Sequence, residues 1–308
     1  MSNSDQTIII TGASGLVGSA LVNALENDGH KVIRAVRREV KDSARELHWD
    51  PNKGEIDAVR FEDADAVIHL AGEGIADSRW SDAVKQRILH SRTKGTLLIA
   101  ETIANCQNKP HTLACASAIG YYGDRGDSVL TEQSDPGEGF LPDVCQQWEA
   151  SCEPARDAGI RVANMRIGVV LSPKGGALAK MLTPFKMGVG GVLGNGQQYF
   201  SWIALDDLVA GIVHVINTPT LSGPVNMTAP NPVTNHKYTK TLGSVLGRPT
   251  FLPMPAFVAR LAFGEMADAL LLASTRVKPT VLSDTGYHFE YPELEPALEH
   301  LLNETKTS

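Results

Sequence analysis

Three glycines near the start of the chain are spaced to hold a phosphate. They follow the apolar run Ile8–Ile10 and stand as Gly12-x-x-Gly15-x-x-Gly18. Glycine permits a tight turn, lets the backbone approach a pyrophosphate without a Cβ in the way, and lets a helix pack closely on a strand. The N–H groups of a helix that begins there would face the anion, which the helix dipole also favours. We therefore predict a dinucleotide pyrophosphate site formed by Gly12, Ser14, Gly15, Leu16, Val17 and Gly18.

The elements on either side of the glycines fit this interpretation. Ile8–Ile10 is a β-branched run, typical of a strand that is buried on both faces of a parallel sheet. After the glycines, apolar residues recur with helical spacing from Val17 to Leu25, which predicts an amphipathic helix. A plain strand–turn–helix without a ligand is the alternative. The position of the glycines between a buried strand and an amphipathic helix favours the binding site.

Two arginines follow the next predicted strand and bear on the choice of cofactor. Lys31–Val36 is predicted to be this strand, and Arg37 and Arg38 come directly after it. An NAD site usually has Asp or Glu at this position to accept hydrogen bonds from the ribose 2′-hydroxyl. A carboxylate would repel a 2′-phosphate, whereas guanidinium groups bind one well. We therefore predict NADP(H) as the cofactor; the alternative is two solvated arginines on a surface loop.

Strand and helix patterns alternate along the first two thirds of the chain. Further strands are predicted over Ala66–Gly72, Thr112–Ser117 and Arg161–Leu171, with helical stretches between them. This alternation indicates an α/β fold, a Rossmann-type doubly wound parallel sheet. Ligands of such sheets bind at the carboxyl ends of the strands. We expect the rest of the dinucleotide to lie against Leu70, Ala71, Gly72 and Val170.

The character of the sequence then changes. Residues 171–202 are rich in glycine and predict a loop that covers a ligand. Short helical patterns rich in Pro, Leu and Ala follow to the end of the chain. We therefore predict an NADP-binding Rossmann domain over residues 1–225, with 171–202 contributing to a second, smaller and mainly helical lobe over 226–308 that binds the substrate.

Composition excludes several classes of function. The net charge of −7 does not suggest a nucleic-acid surface. No apolar run approaches the ~20 residues of a membrane span, and the first residues do not resemble a secretion signal. The 4 cysteines lack the spacing of a metal site. We expect a reduced, cytoplasmic protein without metal that acts on a small molecule; its oligomeric state is not indicated.

Taken together, the motifs resemble a known family. The chain resembles the extended short-chain dehydrogenase/reductases, and within them the atypical "epimerase family" branch, which has a C-terminal domain of unknown function. The resemblance covers nearly the whole chain and implies the Rossmann fold and an NADP-type cofactor, but little about the substrate. The matching residues are Thr11, Gly12, Gly15, Gly18, His69–Glu73, Arg79-Trp80, Ser91-Arg92, Ser117, Gly120–Gly123, Trp148-Glu149, Ser201–Ile203, Asp206–Leu208, Pro224–Asn226 and Arg276-Val277-x-Pro279.

The chain departs from the family at the residues that do its chemistry. Active members use a Tyr-x-x-x-Lys pair, in which the tyrosine is the acid/base and the lysine holds the nicotinamide ribose. When the glutamate that follows this pair is aligned with Glu149, Leu141 takes the tyrosine position and Cys145 takes the lysine position. The family's asparagine falls at Arg92. Leucine cannot transfer a proton, so the resemblance does not by itself establish catalysis.

Candidate catalytic residues remain, each with a structural alternative. Ser117 matches the family serine only with a shift of one residue; it would bind the substrate oxygen, or else cap a local turn. Tyr121 or Tyr122 would replace the missing phenol, the other one being a packing residue. Cys145 would be a weak acid/base with its pKa lowered by Arg92, or else a small core residue. Arg92 would bind a cofactor phosphate or an acidic substrate, or else lie solvated on its helix.

Two functions follow from these observations. The first is an NADP(H)-dependent oxidoreductase or epimerase that acts on a small carbonyl or hydroxyl compound or a nucleotide sugar. The second is a non-catalytic NADP(H)-binding regulator or redox sensor, which the loss of the acid/base pair would permit.

Overall fold

A computed structural model describes residues 6–303 of the chain. Its strands are β1 (Thr7–Thr11), β2 (Lys31–Val36), β3 (Glu46–Asp50), β4 (Glu55–Ile56), β5 (Ala66–His69), β6 (Thr112–Ala118), β7 (Val129–Leu130), β8 (Arg161–Ile167), β9 (Val169–Ser172), β10 (Tyr199–Phe200), β11 (Trp202–Ala204), β12 (Gly223–Met227), β13 (Val233–Thr234) and β14 (Arg276–Val277). Its α-helices are α1 (Leu16–Asn27), α2 (Asp82–Asn105), α3 (Phe140–Ala150), α4 (Glu153–Asp157), α5 (Gly176–Lys186), α6 (Leu205–Asn217), α7 (Asn235–Leu246), α8 (Ala256–Phe263), α9 (Glu265–Ala267), α10 (Thr280–Asp284) and α11 (Leu294–Asn303). Short 3-10 helices cover Ala58–Phe61 and Ile119–Tyr122, and a π-helix covers Asp268–Leu272.

The central sheet has eight strands in the order β12-β8-β6-β5-β1-β2-β3-β4. Neighbouring strands are parallel except for β4, which turns back antiparallel on β3. Strand β1 lies between β2 and β5, so the direction of winding reverses at β1. Open α/β sheets bind ligands in the crevice at such a reversal, beyond the carboxyl ends of the strands. The prediction of a Rossmann-type parallel sheet is confirmed.

Alternate residues of β1 contact the two layers of helices. Ile8, Ile9 and Ile10 are all 0% exposed, as the β-branched run predicts. Ile8 and Ile10 belong to the hydrophobic cluster that includes residues of α1 and α6, whereas Ile9 belongs to the cluster that includes residues of α2 and α3. Side chains alternate across a strand, so one short strand joins both cores and fixes where its glycine turn emerges.

A third hydrophobic core lies outside the main sheet. It joins Leu178 and Leu182 of α5 to Tyr238 of α7 and Leu298 of α11. The segment 171–202, predicted to contribute to the smaller lobe, therefore supplies part of this core. The predicted division at residue 225 falls inside β12, which pairs with β8 as far as Met227. Residues 1–5 and 304–308 of the predicted domains lie outside the described residues.

Within residues 6–303, no helix is both long and apolar enough to span a bilayer.

Candidate dinucleotide and catalytic site

The first turn of the chain approaches a neighbouring loop so closely that only glycine fits. Gly12 has φ +71°, and a Cβ on it would lie 2.9 Å from the Ala71 nitrogen and from the Leu70 carbonyl carbon. A Cβ on Gly18 would lie 2.2 Å from the Gly12 oxygen. Such contacts are too short for a real Cβ, so the spacing of the glycines reflects backbone packing between β1, α1 and the end of β5.

The N-terminus of α1 lies open for an anion. Gly15 is the N-cap residue and has no side chain with which to cap the helix, and the first turn contains no acidic residue. The N–H groups of Leu16 and Val17 belong to the first turn, where a helix offers no internal acceptor. Ser14 is exposed beside them. Unpaired N–H groups at a helix N-terminus, next to backbone that excludes a Cβ, fit a pyrophosphate.

A buried pair of side chains holds the glycine turn against the loop after β5. The Thr11 hydroxyl oxygen lies 2.7 Å from Nδ1 of His69, and the Ala71 N–H donates to the same oxygen at 3.3 Å. His69 is 0% exposed, and burial lowers the pKa of its imidazole to about 4. The neutral ring therefore acts as a fixed hydrogen-bonding group beneath the candidate dinucleotide site.

The two predicted phosphate-binding arginines differ in their environment. Arg38 donates from both terminal nitrogens to the Glu46 carboxylate, at 2.9 and 2.5 Å. The hydrogen bond from Arg38 lowers the pKa of that carboxyl to about 2. Arg37 is exposed and, within residues 6–303, forms no ion pair. Arg37 thus keeps its guanidinium available for a phosphate, while Arg38 is held on β3.

The other residues predicted to line the dinucleotide lie at strand ends. Leu70 and Ala71 are partly buried directly after β5, and Gly72 is exposed. Val170 lies in β9, which leads to the turn that contains Gly175 and Gly176. A Cβ on Gly175 would lie 3.4 Å from the Leu16 side chain, so this turn contacts the N-terminus of α1.

The end of β6 packs on the helix that bears the family's acid/base positions. A Cβ on Gly120 would lie 3.4 Å from Cβ of Leu141 and 3.8 Å from Sγ of Cys145. Cys145 is 3% exposed, and its thiol donates to the Ala118 carbonyl at 3.6 Å. Burial, followed by the negative charge of Glu149, raises the pKa of this thiol to about 12. The expectation that Arg92 lowers the pKa overall is wrong, because burial outweighs the nearby cation.

Ser117 belongs to a buried chain of hydrogen bonds. Its hydroxyl donates to Oε1 of Glu149 at 2.7 Å, and Ser117 is 2% exposed. Glu149 also accepts from Nε and Nη2 of Arg166, at 2.8 and 2.9 Å. Nη1 of Arg166 donates to the Tyr122 hydroxyl, which donates to Asn226 at 2.7 Å. The one O–H proton of Ser117 is therefore engaged within the protein.

The two tyrosines occupy different environments. Tyr122 is 0% exposed, and burial raises the pKa of its phenol. Tyr121 is partly buried, and its ring covers Arg166, whose Cζ lies 3.4 Å from the ring centroid. Of the two phenols, Tyr121 is therefore the one that solvent or a substrate can reach.

Arg92 lies between the two halves of the candidate site. A Cβ on Gly72 would lie 3.6 Å from its Cζ, and the same Cζ lies 4.9 Å from the Trp148 ring. The structure thus brings the loop after β5 together with α2 and α3. Contacts run from the glycine turn through Gly72 and Arg92 to the helix that bears Cys145.

The sequence analysis missed Arg166, and it named Asn226 only as part of a family motif, without its bond to Tyr122. A signal for Arg166 was present, since it is a charged residue within the apolar strand β8. A buried cation requires a partner, and Glu149 on α3 is that partner. The family motif marks Asn226 on β12, but an asparagine in a strand does not show which side chain it will bind.

Comparison with known proteins identifies the family. Residues 8–227 match the NAD dependent epimerase/dehydratase family, and residues 254–301 match a Domain of unknown function (DUF1731). The Epimerase family protein Mb2239 of Mycobacterium bovis is 45% identical over 291 residues, which cover 94% of this chain and 96% of that protein.

Solved structures agree. The crystal structure of human epimerase family protein SDR39U1 (isoform 2) with NADPH superimposes with a TM-score of 0.88 at 31% identity, covering 96% of this chain and 99% of that one. The nucleoside-diphosphate sugar epimerase from Corynebacterium glutamicum gives a TM-score of 0.82 at 38% identity, covering 98% of this chain and 59% of that one. The chain belongs to the NAD dependent epimerase/dehydratase family, among the atypical short-chain dehydrogenase/reductases similar to SDR39U1.

Proposed function

We propose that the chain is an NADP(H)-dependent oxidoreductase that acts on a small carbonyl or hydroxyl compound. The observation that carries this proposal is the anion site at the N-terminus of α1, with the unpaired guanidinium of Arg37 at the end of β2. The NADPH in the structure of the human relative supports the same cofactor.

Each part of the dinucleotide has a candidate partner. The pyrophosphate would accept hydrogen bonds from the N–H groups of Leu16 and Val17, beside Gly12. The 2′-phosphate would lie on Arg37, with Arg38 contributing positive charge from its place against Glu46. The remaining backbone would follow Leu70, Ala71, Gly72 and Val170.

The chain's own contribution to the reaction would be a proton. When bound, the reduced nicotinamide supplies a hydride to the carbonyl carbon of the substrate. The carbonyl oxygen gains negative charge and must take up a proton. We assign this proton to the Tyr121 phenol, because Tyr122 is buried and bonded to Asn226, and the Cys145 thiol is buried with a pKa of about 12.

Ser117 and Glu149 would act on Tyr121 indirectly. Ser117 donates a hydrogen bond to Glu149, and Glu149 holds Arg166, whose guanidinium lies against the Tyr121 ring. Ser117 can offer a substrate only its lone pairs, so we assign it a positioning role.

A non-catalytic NADP(H)-binding regulator is the second candidate. The specific observation in its favour is that Leu141, at the position of the family's catalytic tyrosine, packs against Gly120 just after β6. Affinity for the dinucleotide does not depend on that tyrosine, so binding would persist without turnover. The similarity to the nucleoside-diphosphate sugar epimerase from Corynebacterium glutamicum adds a further candidate reaction, the epimerisation of a nucleotide sugar.

A turnover screen separates these functions. Purified protein with NADPH is mixed with small aldehydes, ketones and nucleotide sugars, while the absorbance of the reduced nicotinamide is followed and nucleotide sugars are checked for epimers. We expect oxidation of NADPH with one class of carbonyl compound. Tyr121→Phe keeps the ring on Arg166 but loses the proton, which should lower turnover by about 10²–10⁴-fold.

Tyr291→Phe and Cys145→Ser serve as controls, and both should retain turnover. Tight NADPH binding without turnover or epimerisation across the library would favour the regulator. Native turnover by Tyr121→Phe would show that the proton comes from another source.

A further inference from the structure

Arg92 is a cation that the protein holds in place on several sides. Its guanidinium lies over the Trp148 ring, with Cζ 4.9 Å from the ring centroid. Its Nη1 donates to the backbone carbonyls of Glu73 and Ile88, each at 3.1 Å. These contacts fix the planar group in one orientation. Within residues 6–303, Nε and Nη2 donate no hydrogen bond, so one edge of the guanidinium remains available.

Carboxylates near Arg92 are bound to other arginines. Glu73 accepts from Nε of Arg87 at 3.0 Å, and Glu149 accepts from Nε of Arg166 at 2.8 Å. Among the described residues, Arg92 therefore has no ion-pair partner, although Glu73 is close enough to act on its charge and Glu149 acts on the neighbouring Cys145.

Leaving such a cation unpaired is unfavourable. Arg92 is partly buried, and burial lowers the pKa of its guanidinium, although arginine stays charged at neutral pH. Trp148 is 5% exposed, and its buried indole N–H also has no acceptor among residues 6–303. The Trp148 N–H is too buried to reach a ligand, whereas the free edge of the Arg92 guanidinium is not buried, and an oxyanion there would accept hydrogen bonds from a charged donor.

We propose that Arg92 binds an anionic group of the substrate, a carboxylate or a phosphate, with Trp148 as the platform beneath the guanidinium. This deepens the proposed function by giving the substrate class: a small carbonyl or hydroxyl compound that carries an oxyanion. The proposal rests on that function for its link to turnover, but not for the binding itself.

The position of Arg92 suits this role. It lies against Gly72, at the strand end where the dinucleotide is expected, and its charge acts on Cys145. Cys145 in turn packs beside Gly120, which precedes the proposed proton donor Tyr121. A substrate held by its anion at Arg92 would therefore extend toward Tyr121.

Titration with simple anions tests the site without requiring the natural substrate. Malonate and inorganic phosphate are titrated separately into the full chain at constant ionic strength, with chloride as the balancing anion, with and without saturating NADPH. Binding is followed by tryptophan fluorescence and calorimetry. We expect saturable binding of at least one anion, and the preferred one distinguishes a carboxylate substrate from a phosphorylated substrate.

Variants connect the binding to Arg92. Arg92→Gln should weaken binding of the anion at least tenfold, while Arg92→Lys, which keeps the charge but loses the planar fork, should weaken it less. Lys94→Gln removes an exposed charge from the same helix and should leave the affinity unchanged. Trp148→Phe should remove the fluorescence response at this site.

The proposal is overturned if neither anion binds saturably, or if both bind Arg92→Gln as tightly as the wild-type protein. It is also overturned if Arg92→Gln weakens NADPH binding alone, since Arg92 would then be a cofactor contact. If Arg92→Gln does not fold, the comparison of wild type with Arg92→Lys decides, and equal affinities contradict the proposal. Failure of NADPH to bind the wild-type protein would refute the proposed function instead, and the titration without NADPH would still test Arg92.

Discussion

The Ser117 hydroxyl donates a hydrogen bond of 2.7 Å to the Glu149 carboxylate, and the same carboxylate accepts two further hydrogen bonds from Arg166. Ser117 on β6, the candidate for the family serine after a shift of one residue, is thus joined to a buried ion pair between α3 and β8. The side chains of Arg166 and Glu149 are only 4% and 13% exposed. The ion pair therefore stabilises the local structure, and it is also part of the candidate site.

Glu149→Gln should destabilise the protein strongly. Removing one partner leaves the Arg166 charge buried without compensation, which costs about 3–5 kcal/mol. Urea unfolding measures the free energy of unfolding. The matched control is Glu153→Gln, which breaks the exposed pair with Arg156 and should cost no more than about 1 kcal/mol. Similar losses in the two variants would contradict the role assigned to Glu149.

Gly12→Ala should abolish dinucleotide binding. The added methyl group would lie 2.9 Å from the backbone of Leu70 and Ala71, and the residue would keep φ +71°. Gly29→Ala is the control, because Gly29 also has positive φ but no atom within 4 Å of the added Cβ. It should show only the strain of a left-handed residue, about 1–2 kcal/mol, and bind NADPH normally. Equal NADPH affinity in both variants would show that the close backbone contacts at Gly12 are not required for binding.

His69 should make stability fall in mildly acidic solution. Burial lowers the pKa of its imidazole from 6.5 to about 4, so the unfolded chain takes up the proton at a higher pH than the folded protein. The stability contributed by neutral His69 is present above pH 6.5 and is lost as the pH falls toward 4. In that window a single proton contributes a slope of about 1.4 kcal/mol per pH unit.

Unfolding of His69→Gln across this pH range checks the slope. The variant should lack this part of the acid dependence, while His288→Gln, a substitution of an exposed histidine, should behave as the wild-type protein. An unchanged profile in His69→Gln would contradict the assignment.

The cofactor half of the candidate site depends on more local features of the chain than the catalytic half does. The requirements on Gly12 and Gly18 are local, because the contacts that exclude a Cβ involve a turn and the helix that follows it. The role of Arg38 depends instead on Glu46, eight residues later on the neighbouring strand. The sequence did not reveal that this carboxylate would engage Arg38 and not Arg37.

The tyrosine pair shows the same limit. Tyr121 and Tyr122 are adjacent in sequence, yet one covers Arg166 and the other is buried against Asn226, 104 residues away along the chain. Cys145 was correctly placed beside Arg92, but the sequence could not weigh burial against that charge. Which polar group is free and which is bonded depends on tertiary contacts that no local pattern reports.

Calorimetric titration of NADPH and NADH into the wild-type protein, Arg37→Ala and Arg38→Ala tests the cofactor preference. The wild-type protein should prefer NADPH, and Arg37→Ala should lose about 1.5–3 kcal/mol of NADPH binding energy with little change for NADH. Arg38→Ala should lose less, because Glu46 already holds its guanidinium. Equal affinities of the wild-type protein for NADPH and NADH, or NADPH binding unaffected by Arg37→Ala, would contradict the assignment of Arg37 to the 2′-phosphate.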